Sequence, residues 1–141
     1  MRIFLDASVL LAAAGSAIGG SRAIFDYAQT HRWTLVSSPW VVNEVLHNLP
    51  DLAISATGDW LRLRPCLSIV DDVLVLDRPV IFAATKDRPI LFTALASADV
   101  LLTLDKADFA GLLGGSFYGL RVRAPYAFLE DERKAGRLSP L

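Results

Sequence analysis

The chain has 141 residues, with 14 basic and 15 acidic side chains, so its formal net charge at neutral pH is −1. A hydrophobic share of 53% excludes intrinsic disorder, and the near-neutral charge means that any polyanion must bind to a local patch rather than to a globally basic surface. Length and composition predict one globular domain over residues 1–141, and a lone cysteine, Cys66, excludes an internal disulfide and suits the cytoplasm.

No membrane association is expected. The uncharged apolar runs fall short of the roughly 20 residues that cross a bilayer. The N-terminal segment loosely resembles a signal peptide, but Asp6 interrupts its apolar run, so we interpret these residues as part of the fold.

The N-terminal half predicts strands and helices in alternation. Apolar runs rich in strand formers, such as RIFLD, are too short for helices, whereas apolar residues at helical spacing mark the segments between them. We expect Ser21 and Ser38 as N-caps, with Pro39 at the first position of its helix. In chain order, we predict a strand at 2–6, helices at 7–15 and 21–33, a strand at 34–38, a helix at 38–50 and a weaker helix at 51–65 that Gly58 interrupts.

The C-terminal half continues the alternation and defines the fold class. In chain order, we predict a strand at 70–76, a helix at 86–98, a strand at 100–104, a short helix at 106–115, a strand at 119–125 and a helix at 125–136. Strands that alternate with helices pair in parallel through right-handed crossovers, so the fold is α/β with helices on both faces of the sheet. Ligands bind such sheets at the carboxyl ends of strands, where Asp6 and Asp105 are expected.

Several carboxylates stand in apolar surroundings, and each also has a purely structural interpretation. Asp6 and Asp105 follow apolar strands and could cap the next helix. Glu44 is the only formally charged residue of its helix and could be an ordinary solvent-facing side chain. Asp87 heads a helix, where the helix dipole stabilises a carboxylate. Asp108 starts the next short helix, where capping is the expected role.

Taken together, these carboxylates indicate a metal site. Carboxylates that converge at one sheet edge repel one another, and this raises their pKa values unless a cation lies among them. Ligands that are all oxygen, without supporting cysteines or paired histidines, suit a hard cation such as Mg²⁺ or Mn²⁺ rather than Zn²⁺.

The sequence resembles the PIN domain, a family of metal-dependent nucleases that includes the toxins of VapBC toxin–antitoxin pairs. The resemblance spans nearly the whole chain. It rests on four segments in the family's order, namely FLDAS with Asp6, SSPWVVNE with Glu44, KDRPILFTALASAD with Asp87, and LLTLDKADF with Asp105 and Asp108. It implies a three-layer α/β/α fold whose central parallel sheet has about five strands in the order 3-2-1-4-5.

The resemblance also implies an activity, which is the hydrolysis of phosphodiester bonds in RNA by an endoribonuclease that uses Mg²⁺ or Mn²⁺. Asp6 and Asp105 would be the primary metal ligands. Glu44 and Asp87 would hold metal through water or a second ion, which completes a catalytic set of four. The expected partners are the RNA substrate, a cognate antitoxin protein and a second copy of the chain.

Further residues would support this site. The hydroxyls of Ser8 and Thr103 are expected to orient the carboxylates, and Asp108 is placed outside the metal ligands or as a helix cap. Positive charge for RNA is expected from residues beside the site in sequence, which are Lys86, Arg88 and Lys106.

Two other functions stay open at this point. The chain could be a PIN-like module that binds RNA or protein without cleaving it. A phosphotransfer domain would also place carboxylates at strand ends, but it needs a lysine at the end of a late strand, where GLRVRAP offers only arginines.

Overall fold

The computed structural model describes residues 1–76, 87–109 and 111–140. Its six strands form one sheet in the order β3-β2-β1-β4-β6-β5. The strands are β1 (Arg2–Leu5), β2 (Thr34–Ser37), β3 (Leu67–Ile69), β4 (Val100–Leu102), β5 (Ser116–Phe117) and β6 (Leu120–Arg123). The helices around the sheet are α1 (Ala7–Gly15), α2 (Gly20–His31), α3 (Pro39–Asn48), α4 (Ile54–Leu63), α5 (Arg88–Ser97), α6 (Lys106–Phe109) and α7 (Pro125–Lys134).

The sheet confirms the α/β class and the expected strand order. Strands β3, β2, β1, β4 and β6 are all parallel, and β1 lies directly beside β4. The sixth strand is an antiparallel addition at the edge, because β5 forms a hairpin with β6. Its two turn residues, Tyr118 and Gly119, have φ angles of 49° and 88°, and positive φ at both positions is typical of a type I′ turn.

The predicted third strand at 70–76 is wrong, because the strand lies at Leu67–Ile69 instead. The Val70 amide still donates to the Ser37 carbonyl, but the chain then leaves the sheet. The Asp72 carboxylate accepts the Trp40 amide hydrogen at the start of α3, and the Val73 amide donates to the Thr93 hydroxyl of α5 at 2.8 Å. These contacts to two helices replace strand pairing.

Two local helix predictions also need correction. Helix α4 is continuous through Gly58, because Ala56, Trp60 and Leu63 bury one face of it and outweigh the weak helix propensity of glycine. Ser21 lies inside the first turn of α2, and the N-cap position belongs to Gly19.

The core explains why the central strands are apolar throughout. Ile3, Phe4 and Leu5 of β1 are fully buried, and so are all three residues of β4. A strand buried on both faces needs apolar side chains at consecutive positions, which is the pattern of parallel sheets covered by helices. In β1 and β4, polar chemistry at the carboxyl edge is therefore left to the residues just beyond the strands.

Among the described residues, no single helix has the length and apolarity needed to cross a bilayer. Helices α1 and α2 have the required length and apolarity only when they are taken together, and the chain bends by 95° between them.

The start of α7 packs against α2, and its last turns hold a buried ion pair. Glu132 is 2% exposed and accepts hydrogen bonds from Nε and Nη2 of Arg137, both at 2.8 Å. Arg121 of β6 lies 3.7 Å from the same carboxylate. The hydrogen bonds from Arg137 are the main reason that the pKa of Glu132 is lowered, although burial opposes them.

We predict that Glu132→Gln lowers the free energy of unfolding by about 2 kcal/mol at pH 7, since hydrogen bonds to charged groups are the strong ones. A carboxyl whose pKa is lowered by folding stabilises the fold above its ordinary value of 4.5 and loses this contribution as the pH falls through the folded value. The difference between the two proteins in urea unfolding should therefore shrink below pH 4.5. The exposed pair of Glu130 with Lys134 offers the control, because Glu130→Gln should cost less than about 0.5 kcal/mol.

Candidate functional site

The site is built where β1 and β4 end side by side. The Asp6 amide donates to the Leu102 carbonyl at 3.1 Å, and the Thr103 amide donates to the Arg123 carbonyl at 3.0 Å. These hydrogen bonds continue the parallel pairing by one residue beyond each strand. They fix Asp6 and Thr103 next to each other at the carboxyl edge of the sheet.

The Asp6 carboxylate is buried and accepts three hydrogen bonds. It is 4% exposed, and its Oδ1 atom accepts the amide hydrogen of Ala7 at 2.7 Å, which caps α1. Its Oδ2 atom accepts the hydroxyls of Thr103 at 2.7 Å and of Ser8 at 3.0 Å. Burial raises the pKa of Asp6, the three hydrogen bonds oppose that rise, and the charge of Asp105 adds to it.

The same two hydroxyls hold the loop that follows β4. Ser8 Oγ accepts the Leu104 amide hydrogen at 3.0 Å, and Thr103 Oγ1 accepts the Asp105 amide hydrogen at 3.0 Å. Each hydroxyl therefore donates to Asp6 and accepts from the loop. Both hydroxyls therefore bond the Asp6 carboxylate directly, and they fix the backbone of Leu104 and Asp105.

Three carboxylates meet beside this network. Asp87, Asp105 and Asp108 each offer an oxygen that lies within 4.8 Å of the other two. Asp87 is 4% exposed at the N-cap position of α5, while Asp105 and Asp108 are half-buried at the start of α6. The helix cap is Asp105, because its Oδ1 atom accepts the Asp108 amide hydrogen at 3.0 Å. The Asp108 carboxylate belongs to the group of three.

The residues of this group fit a hard divalent cation. Mg²⁺–oxygen bonds are about 2.1 Å long, so two oxygens on one ion lie about 3 Å apart when adjacent and about 4 Å apart when opposite. The three carboxylate oxygens lie within 4.8 Å of one another, so small side-chain rotations would bring them onto one ion. Three carboxylates so close together repel one another, and all their ligand atoms are oxygen, which favours Mg²⁺ or Mn²⁺.

Glu44 lines a separate groove on α3. It is half-buried on α3, a helix that packs against α5, and lines a groove of about 510 Å³ with Trp40, Asn43, His47 and Asn48. It does not belong to the group of three carboxylates found among the described residues. Asp6 does not belong to it either, although its pKa responds to the charge of Asp105.

The residues expected to contact RNA are placed only in part. Arg88 and Lys106 are exposed at the first positions of α5 and α6, each next to a carboxylate of the group. Lys86 lies outside the described residues.

No protein-family model and no curated protein match the sequence. Four chains of solved structures match the fold, among them VapC20 of Mycobacterium tuberculosis, described as a toxin that cleaves the sarcin-ricin loop. The two chains share 16% sequence identity, the match covers 84% of this chain and 98% of that one, and the TM-score is 0.45. Values this low carry no weight for the site, whose description rests on its own residues.

We predict that Thr103→Val lowers the free energy of unfolding by about 2–3 kcal/mol, because the isosteric methyl leaves a buried carboxylate and the Asp105 amide without their shared partner. Urea unfolding at pH 7 measures this loss. Thr34→Val is the control, since Thr34 is an exposed strand residue and valine is a good strand former. An equal effect of both substitutions would contradict the role of the Thr103 hydroxyl.

We predict that Asp108→Asn weakens Mn²⁺ binding about tenfold or more, since a neutral amide replaces one of three charged ligands. Titration calorimetry with Mn²⁺ measures the affinity. Asp26→Asn is the control, because Asp26 is exposed on α2. If Asp108→Asn binds Mn²⁺ as tightly as the wild type, Asp108 is not a metal ligand.

Proposed function

We propose that this chain is a metal-dependent endoribonuclease of the PIN type and the toxin of a toxin–antitoxin pair. The observation that carries the proposal is the convergence of Asp87, Asp105 and Asp108 at the carboxyl edge of a parallel sheet, where β1 and β4 lie side by side. Ligand sites of open parallel sheets form at this edge. The order of the four acidic sequence segments supports the same family.

The proposed ligands are the three clustered carboxylates together with Asp6 and Glu44. A carboxylate has about four acceptor sites, and three of those on Asp6 are taken by hydrogen bonds, so Asp6 can add one ligand bond at most. A bound Mg²⁺ or Mn²⁺ would supply an activated water and would stabilise negative charge on the phosphate. The contribution of the chain is to hold these oxygens in place before substrate arrives.

The proposed substrate is single-stranded or loop RNA. Arg88 and Lys106 are exposed and adjoin Asp87 and Asp105 in sequence, so they supply positive charge for the RNA phosphates. Lys86, which precedes Asp87 in sequence, is proposed for the same role. A cognate antitoxin and a second copy of the chain are the proposed protein partners.

The experiment is a cleavage assay on single-stranded RNA with purified protein. We expect cleavage with Mg²⁺ or Mn²⁺ and none with a chelator. The cleavage rate of Asp105→Asn should fall at least about a hundredfold, because a neutral ligand binds the metal less tightly and the negative charge that develops on the phosphate is then less well stabilised. Asp99→Asn is the matched control, because Asp99 lies at the opposite end of β4 and an asparagine oxygen can still accept the Arg2 amide hydrogen.

Two outcomes would contradict the nuclease. Cleavage that survives both the chelator and the Asp105 substitution would show that it does not come from this site. RNA binding without any metal-dependent cleavage would favour the alternative, a PIN-like module that binds RNA or protein.

A further inference from the structure

Ser38 is a buried serine whose hydroxyl has no partner. It directly follows β2 and is 0% exposed, and its Oγ atom makes no hydrogen bond to any residue that the structure describes. Buried polar groups are nearly always paired with protein or with ordered water, because an unpaired one costs free energy. The hydroxyl therefore indicates a small ligand, since a polymer such as RNA cannot reach a residue without exposed surface.

The strand register sets Ser38 beside Asp6. Strands β1 and β2 pair in parallel with Phe4 opposite Val36, so two residues further along both strands Asp6 stands opposite Ser38. Both residues keep an extended backbone there. Neighbouring strands lie about 4.8 Å apart, and paired residues present their side chains to the same face of the sheet. Ser38 is therefore the neighbour of Asp6 on the β2 side.

The β4 side of Asp6 shows what such a neighbour does. There the register sets Thr103 opposite Asp6, and the Thr103 hydroxyl donates to the Asp6 carboxylate at 2.7 Å. Asp6 is thus flanked across the sheet by two hydroxyls. The one on β4 is bonded to the carboxylate, and the one that follows β2 is buried without a partner.

The usual structural role of a serine at this position is taken by another residue. Ser38 is the N-cap of α3, where a serine oxygen commonly accepts an amide hydrogen of the first turn, but its side chain makes no such bond. Pro39 has no amide hydrogen, and the Trp40 amide donates to the two oxygens of the Asp72 carboxylate, at 3.2 Å each. Since Asp72 caps α3 from outside, the Ser38 hydroxyl is not needed for the helix.

A water ligand of the proposed cation suits this hydroxyl in size and in chemistry. Mg²⁺ takes an octahedral set of ligands and usually keeps several waters, whose hydrogens need acceptors. A hydroxyl oxygen has two lone pairs for such a hydrogen. Because Asp6 is a proposed ligand and Ser38 is its neighbour, a water on the same cation can reach the Ser38 oxygen.

We infer that Ser38 is a positioning residue of the metal site and that its hydroxyl holds a water of the cation on the β2 side of Asp6, an inference that rests on the proposed metal-dependent nuclease. The Ser38 oxygen accepts a hydrogen of this water and limits its rotation. A water that is already oriented needs less rearrangement when the scissile phosphate arrives.

The test removes the hydroxyl in Ser38→Ala and compares this variant with Ser37→Ala. Ser37 is the matched control, because it is the adjacent residue, is also 0% exposed, and has a hydroxyl that donates to the Leu5 carbonyl at 3.1 Å. Adjacent residues of a strand face opposite sides of the sheet, so the Ser37 side chain does not face Asp6. The two variants remove the same atom, with and without a partner in the protein.

Without metal, the two variants should differ in stability. Ser38→Ala should have the urea midpoint of the wild type or a higher one, because it removes a buried hydroxyl that bonds nothing in the protein. Ser37→Ala should have a lower midpoint, because the Leu5 carbonyl loses a buried hydrogen bond. If Ser38→Ala lowers the midpoint as much as Ser37→Ala does, the hydroxyl is structural and the inference is overturned.

With Mn²⁺, the order of the two variants should reverse. Titration calorimetry should show an affinity about fivefold lower in Ser38→Ala, the size of one net hydrogen bond, and an unchanged affinity in Ser37→Ala. The rise in melting temperature on addition of Mn²⁺ should likewise be smaller in Ser38→Ala only. Neither measurement depends on RNA cleavage.

The role of Ser38 and the nuclease activity can fail separately. Equal Mn²⁺ affinity in the wild type and in Ser38→Ala would overturn the role of Ser38 even if RNA is cleaved. A loss of affinity in Ser38→Ala but not in Ser37→Ala would support it even in a protein that cleaves no RNA, and only the nuclease would be lost. A wild type that binds no Mn²⁺ would overturn both.

Discussion

The hydrogen bond from the Thr103 hydroxyl to the Asp6 carboxylate joins the ends of the two central strands, and most of the site depends on it. Burying a carboxylate costs free energy unless it is hydrogen-bonded, and Asp6 meets this requirement with one amide and two hydroxyls. The same groups start α1 and hold the backbone of Leu104 and Asp105. One carboxylate thus sets the direction of the helix after β1 and of the loop after β4.

The parallel sheet could be predicted from the sequence because its central strands are buried on both faces and are apolar without interruption. The third strand could not, since VDDVLVL is rich in strand formers while its hydrogen bonds run to the start of α3 and to Thr93 in the middle of α5. A short apolar run indicates a strand, but it cannot tell whether a neighbouring strand or a helix provides the contacts. The β5–β6 hairpin was missed, although Gly119 after Tyr118 is a recognisable turn signal.

The candidate site was predictable to the level of its elements. Asp87 and Asp105 lie together at helix starts beside the strand ends, as their positions after an apolar strand and before an apolar helix indicate. Which of Asp105 and Asp108 caps α6 was not predictable, because residues three apart share a helix face and either carboxylate suits the first turn. Tertiary contacts decide it, since the Thr103 hydroxyl fixes the Asp105 backbone and so brings its carboxylate into the capping position. The assignments of Asp6 and Glu44 as ligands stay predictions.

The two outer strands of the sheet have a consequence for partners. Within the described residues, β3 has three residues and β5 has two, and β5 ends in a tight turn. Edge strands this short offer few free backbone groups to an incoming strand, which protects the sheet against edge-to-edge aggregation. A partner protein that joined its own strand to this sheet would find little to pair with. The surrounding helices offer a partner more, because Trp40, Leu46, Ile54 and Leu61 are exposed apolar side chains on them.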